Sequence, residues 1–255
     1  MYGDAEGVPR RMKIVVFSGT TEGRALSRQL AALGAEVTVC VATKLGAEEQ
    51  GSAPGVTVHT GRLDKAEMTT LLQNAALCID ATHPYATEAT RNICAATAAA
   101  GVEYRRLLRP ASALPAGSVV LPSAEEAARY LAEKPGNVLL ATGAKELPAF
   151  AALDPARLFP RVLPTVAGIT ACEAAGIPHR NIIAMQGPFT VEMNVALLQQ
   201  YNIRCLVTKD SGAAGGFAEK AAAAARCGVQ LVVLRRPEEQ GETAEIILQR
   251  CRELL

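Results

Sequence analysis

The stretch KIVVFSGTTEGR, from Lys13 to Arg24, decides the fold of the amino-terminal half. It begins with the apolar run Ile14–Phe17, passes through a turn of small residues, and enters a helical pattern that ends at Leu33. A short strand, a small-residue turn and a helix form the opening unit of nucleotide-binding α/β domains. The stretch therefore predicts a phosphate-binding turn at residues 18–23.

The chemistry of this turn suits an anion. Gly19 lets the backbone approach a phosphate because it has no Cβ, and the first amides of the following helix favour negative charge. The spacing from Gly19 to Gly23 matches neither the G-x-G-x-x-G fingerprint nor a Walker loop, so an ordinary turn with a threonine N-cap remains the alternative. The cofactor-binding candidates in this turn are Gly19, Thr20, Thr21, Glu22, Gly23 and Arg24.

The composition predicts a globular enzyme-sized chain without a nucleic-acid or membrane partner. Hydrophobic residues make up 49% of the 255 residues, and the net charge of +1 gives no global attraction to nucleic acid or an acidic membrane. No apolar run has the length of a membrane span, and no secretory signal is visible. The seven cysteines form no C-x-x-C pair, which predicts free thiols, no metal site and a reducing cytoplasm.

Short apolar runs alternate with helical patterns along the whole chain, which predicts parallel sheets covered on both faces. The segment Arg109–Gly117 breaks this rhythm with two prolines and a glycine, and it predicts a linker. The expected organisation is a flexible lead at residues 1–11, a first domain at 12–110 and a second domain at 111–255. The fold class is α/β, with two Rossmann-like parallel-sheet domains and a ligand cleft between them.

Polar residues gather where the predicted strands end, and in parallel sheets these ends share the ligand-binding edge. The strand ending at Asp80 is followed by Thr82, His83 and Tyr85, and a later strand is followed by the segment Lys209–Gly212. Each cluster also has an ordinary structural interpretation: a histidine that orients a turn, a surface lysine, or an aspartate that caps a helix. The presence of such clusters in both halves favours a binding site.

Two of these motifs together, GTTEGR at Gly19–Arg24 and ATHPYA at Ala81–Ala86, resemble the precorrin-6A reductase family of cobalamin biosynthesis. Weaker matches extend the resemblance over nearly the whole chain after residue 12. They are GRLD at 61–64, RP at 109–110, TGxK at 142–145, RxLP at 161–164, GPF at 187–189, TKDSG at 208–212 and GG at 215–216.

The resemblance implies an NADPH-dependent reductase with two Rossmann-like domains and the substrate between them. A hydride would pass to one ring double bond of precorrin-6A, or of its cobalt form, and give the dihydro product precorrin-6B. The motifs do not separate the metal-free from the cobalt-bearing substrate, and the oligomeric state stays open. The alternatives are another NAD(P)-dependent α/β reductase, which would usually carry G-x-G-x-x-G or Tyr-x-x-x-Lys, and a non-catalytic nucleotide-sensing module.

A tetrapyrrole with many carboxylates needs cationic side chains and backbone amides. The substrate-binding candidates are Arg109, Lys145, Arg161, Lys209, Asp210, Ser211 and Gly212. The catalytic candidates are His83, Tyr85, Lys209 and Ser211, because hydride transfer needs alignment of two carbons rather than a nucleophile. Thr82 and His83 are also assigned to the cofactor.

The end of the second strand predicts NADPH over NADH. An NAD-specific site places a carboxylate there for the ribose 2′-hydroxyl, whereas this strand leaves through Thr43 and Lys44 and meets no carboxylate before Glu48. Thr43 and Lys44 are donors suited to a 2′-phosphate, and Arg62, after the third strand, is expected in the same region. The alternative for Lys44 is a solvated loop charge.

Overall fold

The computed structural model describes residues 12–108, 113–210, 212 and 215–255. Within these ranges the chain forms two compact units. The first unit contains residues 12–108 and 238–255, and the second contains the described residues between 113 and 237. No helix in the described ranges is long and apolar enough to cross a membrane.

The first unit is built on a five-stranded parallel sheet with the order β3-β2-β1-β4-β5. Its strands are β1 (Lys13–Phe17), β2 (Glu36–Val41), β3 (Val56–Thr60), β4 (Leu77–Asp80) and β5 (Glu103–Arg106). Its helices are α1 (Thr21–Ala32), α2 (Lys44–Gln50), α3 (Lys65–Leu72), α4 (Thr87–Ala100) and α9 (Ala244–Leu254). The strand order reverses between β1 and β4, and this is the position where doubly wound sheets bind ligands.

The strand register brings the predicted motifs to one edge of this sheet. Phe17, the last residue of β1, pairs with Cys40 of β2 and with Asp80 of β4. The turns that leave these strands therefore begin side by side. The predicted glycine turn and the loop that contains His83 are neighbours, as the sequence predicts.

The second unit has a six-stranded sheet with the order β6-β11-β10-β7-β8-β9, again parallel throughout. Its strands are β6 (Val119–Leu121), β7 (Asn137–Ala141), β8 (Leu158–Val162), β9 (Ile183–Ala184), β10 (Ile203–Lys209) and β11 (Gln230–Leu234). Its helices are α5 (Ala124–Ala132), α6 (Val166–Ala174), α7 (Val191–Gln200) and α8 (Phe217–Cys227), with 3₁₀ turns at Ala144–Phe150, Pro155–Arg157 and His179–Asn181.

The structure explains how β8 accommodates Pro160, which cannot donate a backbone hydrogen bond. Pro160 pairs with Leu140 of β7 on one side. The other neighbour, β9, begins its pairing only at Arg161. Pro160 therefore lies where β8 is flanked on one side alone, the position that sheets allow for proline.

The end of the chain lies in the first unit, whereas the sequence assigns residues 111–255 to the second. The core of the first unit contains Ile247 and Cys251 from α9 together with Leu26 and Leu30 from α1. The sequence shows one Pro-rich joint near residue 110, but the chain crosses a second time near Pro237, and that crossing is too short to stand out in the sequence.

The returning segment extends the first sheet beyond β5. Glu242 donates its amide to the Arg106 carbonyl at 2.8 Å, and Leu108 donates to the Glu242 carbonyl at 2.8 Å. The preceding Gly241 approaches β5 so closely that an added Cβ would lie 2.6 Å from the Arg106 carbonyl oxygen. Only glycine fits at this position without a backbone shift.

We expect Gly241→Ala to destabilise the first unit by about 1–3 kcal/mol, because the added methyl group must displace the β5 backbone. Urea unfolding followed by circular dichroism measures this change. Gln240→Ala, at the exposed neighbouring position, is the control and should leave the midpoint unchanged. Equal midpoints for both variants would contradict the close approach.

Candidate functional site

The turn between β1 and α1 leaves open space in front of a glycine. Gly19 has a φ of +145°, and a Cβ added to it would have no neighbouring atom within 4 Å. The first amides of α1 follow directly, and such amides have no acceptor within their own helix. The backbone here presents donors and a positive dipole end toward an uncrowded surface.

Thr20 holds this turn against the end of β4. Its hydroxyl accepts from the Gly23 amide at 3.0 Å as the N-cap of α1 and donates to the Ala81 carbonyl at 2.9 Å. Gly23 packs close to the same region, since a Cβ on it would lie 2.8 Å from the Ala81 side chain and 2.7 Å from Ser18 Oγ. Thr20 and Gly23 therefore join α1 to the sheet, and the Thr20 hydroxyl is already engaged within the fold.

An open, solvent-accessible pocket lies beside the turn. Its lining consists of the turn, the first part of α1, the end of β2 and one side of α2: Ser18, Gly19, Thr20, Thr21, Arg24, Val41, Gly46, Glu49 and Gln50. The buried Ser18 Oγ has no hydrogen-bond partner in the described part of the chain. An uncrowded glycine, a helix amino terminus and an unused hydroxyl together fit the pyrophosphate and ribose of a dinucleotide.

Hydrogen bonds between α1 and α2 fix the far wall of this pocket. The Arg24 guanidinium donates to the Glu49 carbonyl, and Arg28 donates to the Gln50 carbonyl at 3.3 Å. The buried Gln50 side chain donates to Ser27 Oγ at 3.0 Å. Arg24 is thus held in the pocket wall by a backbone acceptor.

The residues after β2 form a helix, where the sequence suggests a loop. Thr43 is the N-cap of α2, and its hydroxyl accepts from the Gly46 amide at 3.0 Å. Neither Thr43 nor Lys44 lines the pocket, whose wall here comes from Gly46, Glu49 and Gln50. The composition of KLGAEEQ after a capping threonine is a helix signal that would have found α2 and these residues.

Arg62 follows the third strand at an exposed position. Its neighbour Gly61, with a φ of +135°, donates its amide to the Val41 carbonyl at 2.9 Å. The backbone next to Arg62 therefore lies at the end of β2, as expected, although Arg62 does not line the pocket.

The loop after β4 is organised by the buried Asp80 carboxylate. Asp80 Oδ1 accepts from the Thr82 amide at 3.0 Å and from the Thr82 hydroxyl at 2.7 Å. Beyond it, the Tyr85 amide donates to His83 Nδ1 at 3.4 Å, and the two rings lie 5.6 Å apart. The loop places half-buried imidazole and phenol rings together beside the glycine turn.

The buried ion pair between Arg106 and Asp80 stabilises this loop. Arg106 on β5 donates to Asp80 Oδ1, to Thr82 Oγ1 at 3.0 Å and to Glu239 of the returning segment. Tyr104 donates to Asp80 Oδ2 at 3.2 Å, and burial together with the Asp80 carboxylate raises the pKa of Tyr104. This network is not predicted from the sequence, although the charged residues of EYRR at 103–106, within a predicted strand, indicate that buried charges are present.

The described candidate residues of the second unit differ in their surroundings: one is ion-paired, one is exposed and two are buried. Lys209 Nζ donates to Glu146 Oε1 at 2.6 Å, and the neighbouring Lys145 is exposed. Asp210 is buried and accepts from the Gly212 amide at 3.3 Å, so it shapes its own turn. Ser211 and Arg109 lie outside the described residues.

Arg161 is buried at the carboxyl end of β8. Its Nη1 donates to Asn194 Oδ1 at 2.8 Å, and its guanidinium lies 4.2 Å from the centroid of the Phe189 ring. Burial lowers the pKa of Arg161 to about 10. Asn194 and Phe189 are both neutral, so they orient the Arg161 guanidinium without neutralising its positive charge.

The sequence matches the family described as Precorrin-6x reductase CbiJ/CobK over residues 13–252. It is 38% identical over 232 residues to the cobalt-precorrin-6A reductase of Priestia megaterium, covering 88% of this chain and 91% of that protein. It is 31% identical over 234 residues to the precorrin-6A reductase of Mycobacterium tuberculosis, covering 88% and 89%.

A solved structure of CobK precorrin-6A reductase has the same fold. The two chains share 26% identity with a TM-score of 0.74, and the match covers 95% of this chain and 96% of that one. The resemblance stated from the motifs is confirmed, and so is the prediction of two parallel-sheet α/β domains.

We expect Gly19→Val to abolish binding of a nicotinamide dinucleotide, because the side chain would fill the open space in front of the turn. Calorimetric titration with NADPH measures the affinity. Gly34→Val is the matched control: Gly34 also has a positive φ, +101°, and an open Cβ direction, but it lies at the other end of α1. The same loss of affinity in both variants would show that backbone strain alone is responsible.

Proposed function

This chain belongs to the precorrin-6x reductase family, and from that membership we propose that it is an NADPH-dependent precorrin-6A reductase of cobalamin biosynthesis. The reaction adds a hydride and a proton to one ring double bond of precorrin-6A, or of its cobalt form, and gives the dihydro product precorrin-6B. The pocket between the glycine turn and α2 is the observation that carries the proposal, because its lining fits a dinucleotide cofactor.

Different residues of the first unit bind different parts of the cofactor. The backbone of Gly19, Thr20 and Thr21 binds the pyrophosphate, and the α1 dipole stabilises its charge. The bound cofactor supplies the hydride from its nicotinamide ring. Glu22, in the first turn of α1, and Gly23 shape the turn from within the helix.

Arg24 is the proposed contact of the 2′-phosphate, because it carries the positive charge of the described pocket lining. The same lining contains Glu49, a residue of the type that binds an unphosphorylated ribose in NAD-specific sites. The bond from Arg24 to the Glu49 backbone brings the guanidinium to this wall. Lys44 and Arg62 lie around the same strand end and add a weaker positive field, and the Thr43 hydroxyl beside them is uncharged.

The loop after β4 positions the nicotinamide ring and the tetrapyrrole ring for hydride transfer. His83 and Tyr85 contact the nicotinamide or the tetrapyrrole, with Thr82 beside them. Asp80 and Arg106 act as positioning residues, because they fix the loop through Thr82 without leaving the interior. A fixed loop matters for hydride transfer, which depends on the distance and alignment of two carbons.

The second unit supplies donors for the substrate carboxylates. Arg161 and Lys145 are direct candidates, and Lys209 contributes through a charge shared with Glu146. Asp210 supports the turn that presents the Gly212 amide. Arg109 and Ser211 complete the proposed set from sequence alone, with Ser211 and Lys209 also proposed near the reacting ring.

NADPH oxidation tests the function directly. Purified protein is incubated with NADPH and either precorrin-6A or cobalt-precorrin-6A, and absorbance loss is compared with product mass. The expected result is substrate-dependent oxidation and a product heavier by two hydrogens. If the protein binds NADPH tightly but oxidises it in the presence of neither substrate, the nucleotide-sensing module or another reductase is favoured.

We expect His83→Ala to lower turnover by about tenfold or more while NADPH affinity stays unchanged, because loss of the ring loosens the alignment of the reactants. Steady-state kinetics and NADPH titration measure the two quantities. His59→Ala, an exposed histidine on β3, is the control. A fully active His83→Ala enzyme would reduce His83 to a turn residue.

We expect Arg24→Met to raise the KM for NADPH about tenfold or more and to leave that for NADH unchanged, since one charge-assisted hydrogen bond is lost. Arg28→Met is the matched control, because Arg28 makes the same kind of bridge to α2 outside the pocket lining. Glu49→Gln tests the opposite assignment. If that variant impairs NADH and Arg24→Met changes neither cofactor, the site prefers NADH.

A further inference from the structure

One carboxylate of the returning segment reaches the polar network of the loop after β4. Glu239 Oε1 accepts from Nη2 of the buried Arg106, and the Glu239 side chain is 13% exposed. Glu239 comes two residues after Pro237, where the chain crosses into the first unit. The network therefore takes one acceptor from a segment that is 133 residues away from Arg106 in sequence.

Glu239 and the loop bind opposite sides of the same guanidinium. Nη1 of Arg106 donates to Asp80 Oδ1 and to Thr82 Oγ1 at 3.0 Å, while Nη2 donates to Glu239. A guanidinium is planar and rigid, so a partner on Nη2 fixes the direction in which Nη1 points. Because Thr82 directly precedes His83, the bond from Nη1 to Thr82 connects Glu239 to the loop that contains the imidazole.

Charge neutrality does not require Glu239. Arg106 already pairs with the Asp80 carboxylate, whose oxygens also accept from Thr82 and Tyr104. Glu239 adds a second carboxylate to one buried cation, and its Oε2 is buried without a hydrogen-bond partner in the described part of the chain. An unsatisfied buried oxygen costs free energy, so neutralising Arg106 does not by itself account for Glu239.

The returning segment is attached to the sheet at several points besides Glu239. The backbone of Glu242 forms two hydrogen bonds with β5 and the residues after it, and its carboxylate accepts from Arg105. Further along, Arg250 of α9 pairs with Glu103 of β5 at 2.7 Å. These contacts hold the segment and α9 in place, so the particular contribution of Glu239 is its bond to the buried guanidinium.

We propose that Glu239 is a positioning residue for hydride transfer, a proposal that rests on the proposed function. By binding Nη2 of Arg106, Glu239 fixes Thr82 and thereby the orientation of the His83 ring. The hydrogen bond rather than the charge produces this effect, because Asp80 already balances the charge of Arg106. A loop that is not fixed leaves the two reacting carbons less well aligned.

Glu239→Ala tests the proposal through steady-state kinetics with NADPH and the tetrapyrrole that the wild type reduces. The expected result is a kcat lowered about fivefold or more, with the Kd for NADPH changed less than about twofold, because the phosphate turn is not touched. Glu239→Gln should restore most of the lost kcat, since its amide oxygen still accepts a hydrogen bond from Arg106.

Glu242→Ala is the matched control. Glu242 lies in the same segment, accepts through Oε1 from the neighbouring arginine of β5, and also has an Oε2 that is buried without a partner in the described residues. That arginine, Arg105, projects from the opposite face of the strand and donates to Glu103. Both alanine variants should lower the Tm, but Glu242→Ala should keep kcat within about twofold of the wild-type value.

Proton NMR of the histidine rings reports on the loop without catalysis. The chain has three histidines, His59, His83 and His179, and the His83→Ala variant assigns the His83 signal. Glu239→Ala should shift or broaden the His83 signal of the ligand-free protein, and Glu242→Ala should leave it unchanged. His59 and His179 are exposed and serve as internal references.

The possible outcomes separate positioning from attachment of the segment. A kcat of Glu239→Ala within twofold of wild type, or an unchanged His83 signal, would overturn the proposal. Equal losses of kcat in Glu239→Ala and Glu242→Ala would also overturn it and assign both residues to attachment. So would a Glu239→Gln enzyme as slow as Glu239→Ala, because a retained acceptor would then have no effect.

Failure of the proposed function gives a different result. A wild type that reduces neither tetrapyrrole would refute that function and, with it, the role of Glu239 in hydride transfer. The NMR comparison does not depend on turnover, so it would still show whether Glu239 fixes the loop.

Discussion

The first unit depends on the buried ion pair between Arg106 and Asp80. A buried pair of this kind repays its desolvation only when the remaining donors and acceptors are also satisfied. Here Thr82, Tyr104 and Glu239 provide most of those partners, each from a different part of the chain. Arg106 Nε and Glu239 Oε2 are buried without a hydrogen-bond partner in the described part of the chain. The pair therefore joins the end of β4, the strand β5, the loop that contains His83 and the returning carboxyl-terminal segment into one polar core.

The two units treat buried positive charge in opposite ways. In the first unit, Arg106 is surrounded by carboxylates and fixes the architecture. In the second unit, the buried Arg161 and Lys220 donate to an amide oxygen and a backbone carbonyl, both neutral, while the Glu219 carboxylate raises the pKa of Lys220 against the effect of burial. The electrostatic surroundings of the buried cations thus differ between the two units, although these side chains are equally hidden from solvent.

The sequence predicts features that depend on neighbouring residues. The turn at residues 18–23 and the alternation of strands with helices are both present in the structure. The helix Lys44–Gln50 was missed because the apolar periodicity of such a short element is weak. The contact of Arg106 with Glu239 and the return of residues 238–255 were missed because they join parts of the chain more than 130 residues apart, and no local pattern encodes such pairings. The pocket wall formed by α2 was lost with that helix.

The return of the chain to the first unit has a consequence for folding during translation. The second unit is continuous in sequence, so all its strands are available once the chain has been made through Pro237. The first unit lacks α9 and the partners of Arg105 and Arg106 until residues 238–255 have been made. On the ribosome, the domain encoded second is therefore the first that can complete its core. The amino-terminal sheet, in which Arg106 still lacks Glu239, completes its core only after residues 238–255 have emerged.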